Sequence, residues 1–290
     1  FIVPSNQYSV LNIFLPVAKG IDLQQSAGEL AGKIILQRDL ELDADLTWTA
    51  GGSIEGRCHA IILNGDLTIR SGYDLLFTSS TIIDGRGHSL ILEDHAQLTL
   101  DPDVTLTLRN LTLKNSAGGI TPYPIELIGR YSKLALDNVE IAMNSDITLS
   151  WGQLFIHDDV AVTGTSAFIY KTPSTSFIAP ASSFYFGPKT TFFYDQSDSI
   201  NGSTDMDLLV LQAKTSELFL DGATLKTTDT GLRLTRGKLF LDNKVTLSTY
   251  GKVPLTFANS LVFGNSSVGS DYDLSVYVLG GAQVRLHGYV

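Results

Sequence analysis

Ile54-Glu-Gly-Arg-Cys-His-Ala-Ile-Ile-Leu63 and Ile83-Asp-Gly-Arg-Gly-His-Ser-Leu-Ile-Leu92 are one phrase written twice, 29 residues apart (83 against 54). Gly56 and Gly85, Arg57 and Arg86, and His59 and His88 fall in step. The phrase closes on an apolar triplet that starts at 34, 61 and 90. Each triplet is followed by a second echo, Leu40-Glu-Leu42, Leu67-Thr-Ile69 and Leu98-Thr-Leu100. A third comes after it, Leu46-Thr-Trp48, Leu75-Leu-Phe77 and Leu106-Thr-Leu108. These pieces alternate apolar with polar residues, which turns one face of a strand to a core and the other to water. A fixed repeat of short strands is the mark of stacked supersecondary units.

The second half repeats at about 21 residues: Leu134-Ala-Leu-Asp137, Leu154-Phe-Ile-His157, Leu218-Phe-Leu-Asp221, Leu239-Phe-Leu-Asp242 and Leu261-Val-Phe-Gly264. The gap of 64 residues between Leu154 and Leu218 reads as three periods. Gly, Asn, Asp, Ser and Pro sit between the strands, where tight corners need them. A period of 3.6 is nearly absent; the one helix candidate is Asp22–Gly32, capped by Asp22. The expectation is an all-β, single-stranded parallel β-helix with three strands in each coil of about 20–30 residues. Residues 1–20 form a separate N-terminal strand segment, and residues 21–290 form the solenoid. Counting from Leu40 gives about eleven rungs, a rod on the order of 50 Å long at ~4.8 Å per rung. An antiparallel sandwich would not repeat a three-strand phrase at fixed spacing.

Composition agrees with this architecture. Of 290 residues, 43% are hydrophobic, enough for a long core, and only 17% are charged, few for helices with solvated faces. The formal charge of −10 gives no basic face for nucleic acid. The lone Cys58 excludes an internal disulfide framework and a cysteine-cluster zinc site. No run of 18 apolar residues marks a transmembrane helix. The first residue is Phe1, not Met, which points to a removed leader and a secreted or surface location.

Thr81-Ile-Ile-Asp-Gly-Arg-Gly-His-Ser-Leu-Ile-Leu92 and Val104-Thr-Leu-Thr-Leu-Arg-Asn-Leu-Thr-Leu-Lys-Asn115 resemble right-handed parallel β-helix proteins of the pectate-lyase-like superfamily, and bacterial surface proteins that share the fold. The resemblance covers about residues 33–290 and implies an architecture, since such folds host many functions. The superfamily's enzymes cleave acidic polysaccharides with clustered carboxylates, so Asp137, Asp158, Asp159, Asp221 and Asp242 are the candidate column for carbohydrate cleavage or calcium. The simpler reading makes each a turn residue that satisfies local backbone N–H groups. The polygalacturonase pattern is met only in fragments, Asp158-Asp159 and Gly85-Arg-Gly-His88, in the wrong order.

Arg57/His59 and Arg86/His88 repeat on adjacent coils, where stacked histidines could hold a metal; a repeated structural corner is the plainer reading. Cys58 stands where Gly87 stands in the next repeat, as a small turn residue. The aromatic run from Phe184 to Tyr194 predicts an internal stack with an exposed row, and the row could contact sugars. Asn110, Asn201 and Asn265 begin glycosylation sequons.

Both ends are apolar. At the N-terminus these are Phe1, Ile2, Val3, Val10, Leu11, Ile13, Phe14, Leu15 and Val17; at the C-terminus they are Leu274, Val276, Val278, Val284, Leu286 and Val290. An open solenoid rung is a template for another strand. The expectation is therefore a non-catalytic, cofactor-free, self-assembling subunit whose N-terminal segment adds to the last rung of a neighbour, head to tail. The alternatives are a segment that folds back on its own first rung, and a β-helix that binds or cleaves surface carbohydrate.

Overall fold

The computed structural model describes residues 10–12, 32–48, 51–115, 124–196, 208–228, 232–249, 261–263, 274–278 and 283–287. Among them there is no helix, and every strand pairing is parallel. The chain is an all-β parallel solenoid, as its repeats predict. The helix expected over Asp22–Gly32 lies outside the described residues, except that Gly32 opens the strand Gly32–Ile35.

Three ladders run along the rod, and the chain visits them in turn. The first starts at Val10–Asn12, Gly32–Ile35, Gly52–Glu55, Asp74–Ser79, Gln97–Leu100 and Ile125–Leu127. It resumes as a separate six-stranded sheet from Ile147–Leu149 to Gln283–His287. The second ladder holds Leu40–Leu42, Ala60–Leu63 and Thr81–Asp84, then the front halves of Thr105–Asn115, Lys133–Met143 and Gln153–Gly164. Ser176–Ile178 and Leu209–Leu211 continue it. The third holds Leu46–Trp48, Leu67–Ile69, Ser89–Leu92, the back halves of those three long strands, Ser183–Phe186, Glu217–Asp221, Gly237–Asp242 and Leu274–Val278. The longest path through the paired strands is ten strands long, against the eleven rungs counted from sequence.

Register explains the repeats and corrects their alignment. Ile54 pairs with Phe77 on the first ladder, whereas Ile83 pairs with Ile61 on the second. The 29-residue phrase is therefore one turn plus one face. The apolar triplets at 34, 61 and 90 lie on the first, second and third ladders in succession. The phrase recurs on all three because each face makes the same demand: two apolar residues inward, polar residues between, and a corner. The second-half motif likewise spans two ladders. Leu134 pairs with Leu154 on the second, Leu218 pairs with Leu239 on the third, and Leu261 pairs with Leu232. The 64-residue gap is two turns and a face, not three periods, because the intervening turns are longer. In-register partners are separated by 20 residues at Leu134/Leu154 and by 34 at Phe184/Leu218.

The inward residues stack into one core. Leu106, Leu134 and Leu154 follow one another in one column, and Leu218 and Leu239 do so in another, all fully or almost fully buried. Burying each leucine is worth about 1.5–3 kcal/mol. Halfway along, the leucines give way to rings. Phe168, Phe184, Phe186 and Phe192 pack with centroids 4.6–6.5 Å apart, and Tyr170 stacks on Tyr194 at 5.4 Å. Tyr185 and Phe193, the alternate residues of the same run, face outward, as the alternation predicts.

Candidate functional site

The best-built polar feature is the corner between the second and third ladders. On successive levels the chain ends its second-ladder strand on Asp84, Arg109, Asp137 and His157, which are Cα partners in one column. The following residue turns the corner in the left-handed region at Asn110 (φ 51°), Asn138 (φ 53°) and Asp158 (φ 50°). Asn and Asp tolerate that conformation because their short polar side chains bond locally. The side chains form a chain of their own. Arg109 gives Nε at 3.2 Å and Nη2 at 2.7 Å to Asp84 Oδ2. Asn110 Nδ2 donates to Asp84 Oδ1 at 3.3 Å, and Asn138 Nδ2 donates to Asn110 Oδ1 at 3.0 Å. The first sequon asparagine is thus a rung of this ladder.

The two acids of the column sit in opposite electrostatic settings. Burial works against ionised Asp84, but hydrogen bonds from Arg109, the Arg86 backbone N–H and Asn110, with the Arg109 charge, outweigh it and hold its carboxyl below the usual value. Asp137 is pushed up, first by burial and then by the charge of Asp158; the nearby His157 and Arg109 pull the other way. Asp137 and Asp158 thus stand at this corner as two like charges near each other. Neighbouring carboxyls, one of them pushed up, are an arrangement that general acid–base catalysis uses, and equally one that a structural corner can hold.

The carboxylates expected in one column are divided between two corners. Asp137 faces His157 and Asp158, and Asp159 accepts the Ser183 hydroxyl at 2.7 Å. Asp221 and Asp242 pair with each other on the third ladder, at its far end. There the Tyr185 hydroxyl donates to Asp221 Oδ2 at 2.6 Å, Asn243 Nδ2 donates to Asp221, and the Asn243 N–H donates to Asp242 Oδ1 at 2.7 Å. The sequence placed these acids together because it aligned Leu134 with Leu218, which lie on different faces.

The same shift separates the histidines. Arg57, Cys58 and His59 turn the corner between the first and second ladders; Arg86, Gly87 and His88 turn the next one. His59 Nδ1 lies 3.6 Å from Asp39 and His88 Nδ1 lies 3.9 Å from Asp66, so each faces an aspartate of the preceding level. Cys58 is exposed, at φ 66°. Among the described residues no group of three or more His, Cys, Asp or Glu side chains is placed to hold a metal ion. Among them, too, no helix is long and apolar enough to cross a membrane.

The outward rings form a stripe on the third face. Tyr185, Phe219 and Phe240 follow one another at 5.4 and 5.3 Å, and Phe219 and Phe240 are stacked with an angle of 19° between their planes. Stacking of this kind turns ring faces to each other along the rod, whereas a sugar would need them turned to solvent.

Tyr185 gives a direct check on this corner. Burial, the hydrogen bond to Asp221 and the charges of Asp221 and Asp242 push its hydroxyl up to about 12 from 10.0. The folded chain keeps that proton longer than the unfolded chain does, so this contribution is whole below pH 10 and is lost as pH rises towards about 12. Tyr185→Phe is expected to cost about 1 kcal/mol at neutral pH and to flatten the alkaline loss of stability. Urea titrations at neutral and alkaline pH measure both.

Of the N-terminal candidates, Val10 and Leu11 lie in Val10–Asn12, which pairs with its own chain: Val10 with Lys33, Leu11 with Ile34 and Asn12 with Ile35. This is the fold-back arrangement named as an alternative above. Phe1, Ile2, Val3, Ile13, Phe14, Leu15 and Val17 lie outside the described residues. At the other end Leu274, Val276 and Val278 pair with Gly237, Leu239 and Leu241, and Val284 and Leu286 pair with Val245 and Leu247. Val290 lies outside the described residues.

The column Asp84, Arg109, Asp137, His157 was missed as a unit. Its signal is present, since Ile83-Asp84, Leu108-Arg109, Leu136-Asp137 and Ile156-His157 each end an alternating strand, but it emerges only once the register is known. Neither protein-family models, nor curated proteins, nor solved structures include a match to this chain.

Proposed function

We propose that this chain is a non-catalytic structural unit of a secreted or surface-exposed fibre, a rod that stacks head to tail with copies of itself. The observation that carries this reading is the polarity of the first ladder. Its outermost described strands are Val10–Asn12 at one end and Gln283–His287 at the other, and all its pairings are parallel. A second copy can therefore lay its Val10–Asn12 beside Gln283–His287 and continue the ladder without reversing direction. Such a contact is heterologous and does not close, so it makes a filament. Val10–Asn12 then serves both as the cover of its own first rung and as the strand added to its neighbour's last one. Kinship with the pectate-lyase-like β-helices belongs to this proposal as the origin of the architecture.

Negative-stain electron microscopy of the purified chain at rising concentration tests the reading. Thin filaments are expected, and they should be lost when residues 1–17 are deleted from a chain that still shows a β-rich circular dichroism spectrum. Single rods at every concentration would refute it. Asp137, pushed up by burial and by the charge of neighbouring Asp158, favours the second reading, polysaccharide cleavage, which predicts release of reducing ends from an acidic polysaccharide and its loss in Asp137→Asn.

A further inference from the structure

The chain passes from the third ladder to the first by a nearly constant count of residues. On the third ladder one column of Cα partners runs from Leu46 to Val278. On the first ladder one column runs from Gly32 through Gly52 and Leu75 to Leu98, and in the sheet that resumes it another runs from Ile147 to Leu286. The passage takes six residues at Leu46/Gly52, Ile141/Ile147, Val162/Phe168, Phe186/Phe192 and Leu241/Leu247. It takes eight at Leu67/Leu75, Leu90/Leu98 and Val278/Leu286, and five once, at Leu220/Leu225. An even count keeps the alternation of the two strands in step across the corner.

In the head-to-tail joint, Val10–Asn12 of the upper copy follows Gln283–His287 of the lower one. Val10 pairs with Lys33, so the column of Gly32 and Gly52 reaches residue 9 on that level. Six residues before it stands Val3, and two before that Phe1. In chain order the third-ladder position ahead of Val10–Asn12 is the one directly beyond Leu274–Val278 of the lower copy. Leu274–Val278 is the last described strand of its ladder, and its outer edge has no partner among the described residues. We propose, as a consequence that rests on the stacking, that residues 1–5 of the upper copy are a second donor strand. They add in parallel to Leu274–Val278 of the lower copy, with Val3 level with Val278 and Phe1 level with Val276.

The register puts apolar residues where the core needs them. Leu239 and Leu241, the partners of Val276 and Val278 on the level below, are buried, 0% and 3% exposed. Phe1 and Val3 carry those columns one level further, across an end that would otherwise leave the core and the strand edge open to water. Ile2 falls level with Tyr277, in the column of Phe219 and Phe240. Pro4 closes the strand, since it has no N–H to give to a ladder. The joint is then made on two faces, by Val10–Asn12 on the first ladder and by residues 1–5 on the third.

Cysteine pairs in the full chain, on a Cys58→Ser background, test this register. Neighbouring strands lie ~4.8 Å apart, within the Cα separation that a disulfide spans. Under mild oxidation Ile2→Cys with Tyr277→Cys is expected to give a series of covalently linked oligomers on non-reducing gels. Val3→Cys with Tyr277→Cys is expected to give none, because residues one apart on a strand turn to opposite faces. Deleting residues 1–5 leaves Val10–Asn12 in place, and it should raise the concentration needed for filaments at least about tenfold while circular dichroism stays β-rich. Absence of filaments from the intact chain at every concentration refutes the stacking itself, and the second strand with it. Filaments that form equally well without residues 1–5, or that link no better through Ile2→Cys/Tyr277→Cys than through Val3→Cys/Tyr277→Cys, overturn the second strand alone and leave stacking through the first ladder standing. A disulfide closed within one chain overturns it as well.

Discussion

Phe184→Ala is expected to cost about 3–5 kcal/mol, among the largest effects of any single truncation in this chain. The ring is fully buried, and it touches three others, with centroids 5.7 Å from Phe168, 4.6 Å from Phe186 and 6.1 Å from Phe192. Each of those rings is anchored on a different strand or face, so no one of them can move into the space without leaving another gap. The loss is transfer energy plus a cavity that the solenoid cannot close, because its levels are fixed by backbone pairing at ~4.8 Å. Phe219→Ala makes the contrast. Phe219 is an outward ring of the same face, half-buried and stacked on Phe240 at 5.3 Å, and its truncation should cost about 1 kcal/mol. In a repeat protein each level feels chiefly its neighbours. Hydrogen exchange in Phe184→Ala should therefore accelerate first in Ala167–Tyr170, Ser183–Phe186 and Thr191–Tyr194, while Ala60–Leu63 and Ser89–Leu92 keep their protection. Equal costs for the two phenylalanines would mean that the inner rings do not form a packed core.

The same contrast between inner and outer positions explains what could be read from the sequence. Alternation within each strand is local, so the inward set was legible: Leu134, Leu154, Leu218 and Leu239 are all buried. So was the division of the aromatic run into buried Phe184 and Phe186 and outward Tyr185. Which face a strand belongs to is not local. All three faces obey one pattern, and nothing in Leu134-Ala-Leu-Asp137 or Leu218-Phe-Leu-Asp221 distinguishes the second ladder from the third. Turn length would settle the matter, but it varies from 20 residues at Leu134/Leu154 to 39 at Val245/Val284. Every sequence-derived column that crossed a long turn therefore mixed two corners. The carboxylates failed in this way, and the histidines failed because a phrase of one turn plus one face was taken for a turn. The Asp84–Arg109–Asp137–His157 column needed only correct register over three steps, and the strand-ending positions of its members were already visible.

Gly164→Ala is the second large effect, and Gly87→Ala shows why. Both glycines have left-handed backbones, at φ 108° and φ 92°. Forcing an ordinary residue into such a conformation costs about 1–3 kcal/mol. At Gly87 that is the whole cost, because an added Cβ meets nothing within 4 Å. At Gly164 the added Cβ would stand 2.0 Å from the backbone carbonyl oxygen of Met143. Met143 is the Cα partner of Gly164 on the level below, at the end of one of the two longest pairings among the described residues. A side chain could rotate away from such a clash, but a carbonyl held in a ladder cannot move without breaking the pairing that holds it. The expected loss is about 1–2 kcal/mol for Gly87→Ala and on the order of 4 kcal/mol for Gly164→Ala, the strain and the broken pairing together. Urea midpoints with unchanged slopes measure both, since unchanged slopes mean that the same surface is exposed on unfolding. If the two variants lost equal stability, backbone strain alone would account for both. The close approach of the levels at Gly164 would then have no part in fixing the register of the long strands.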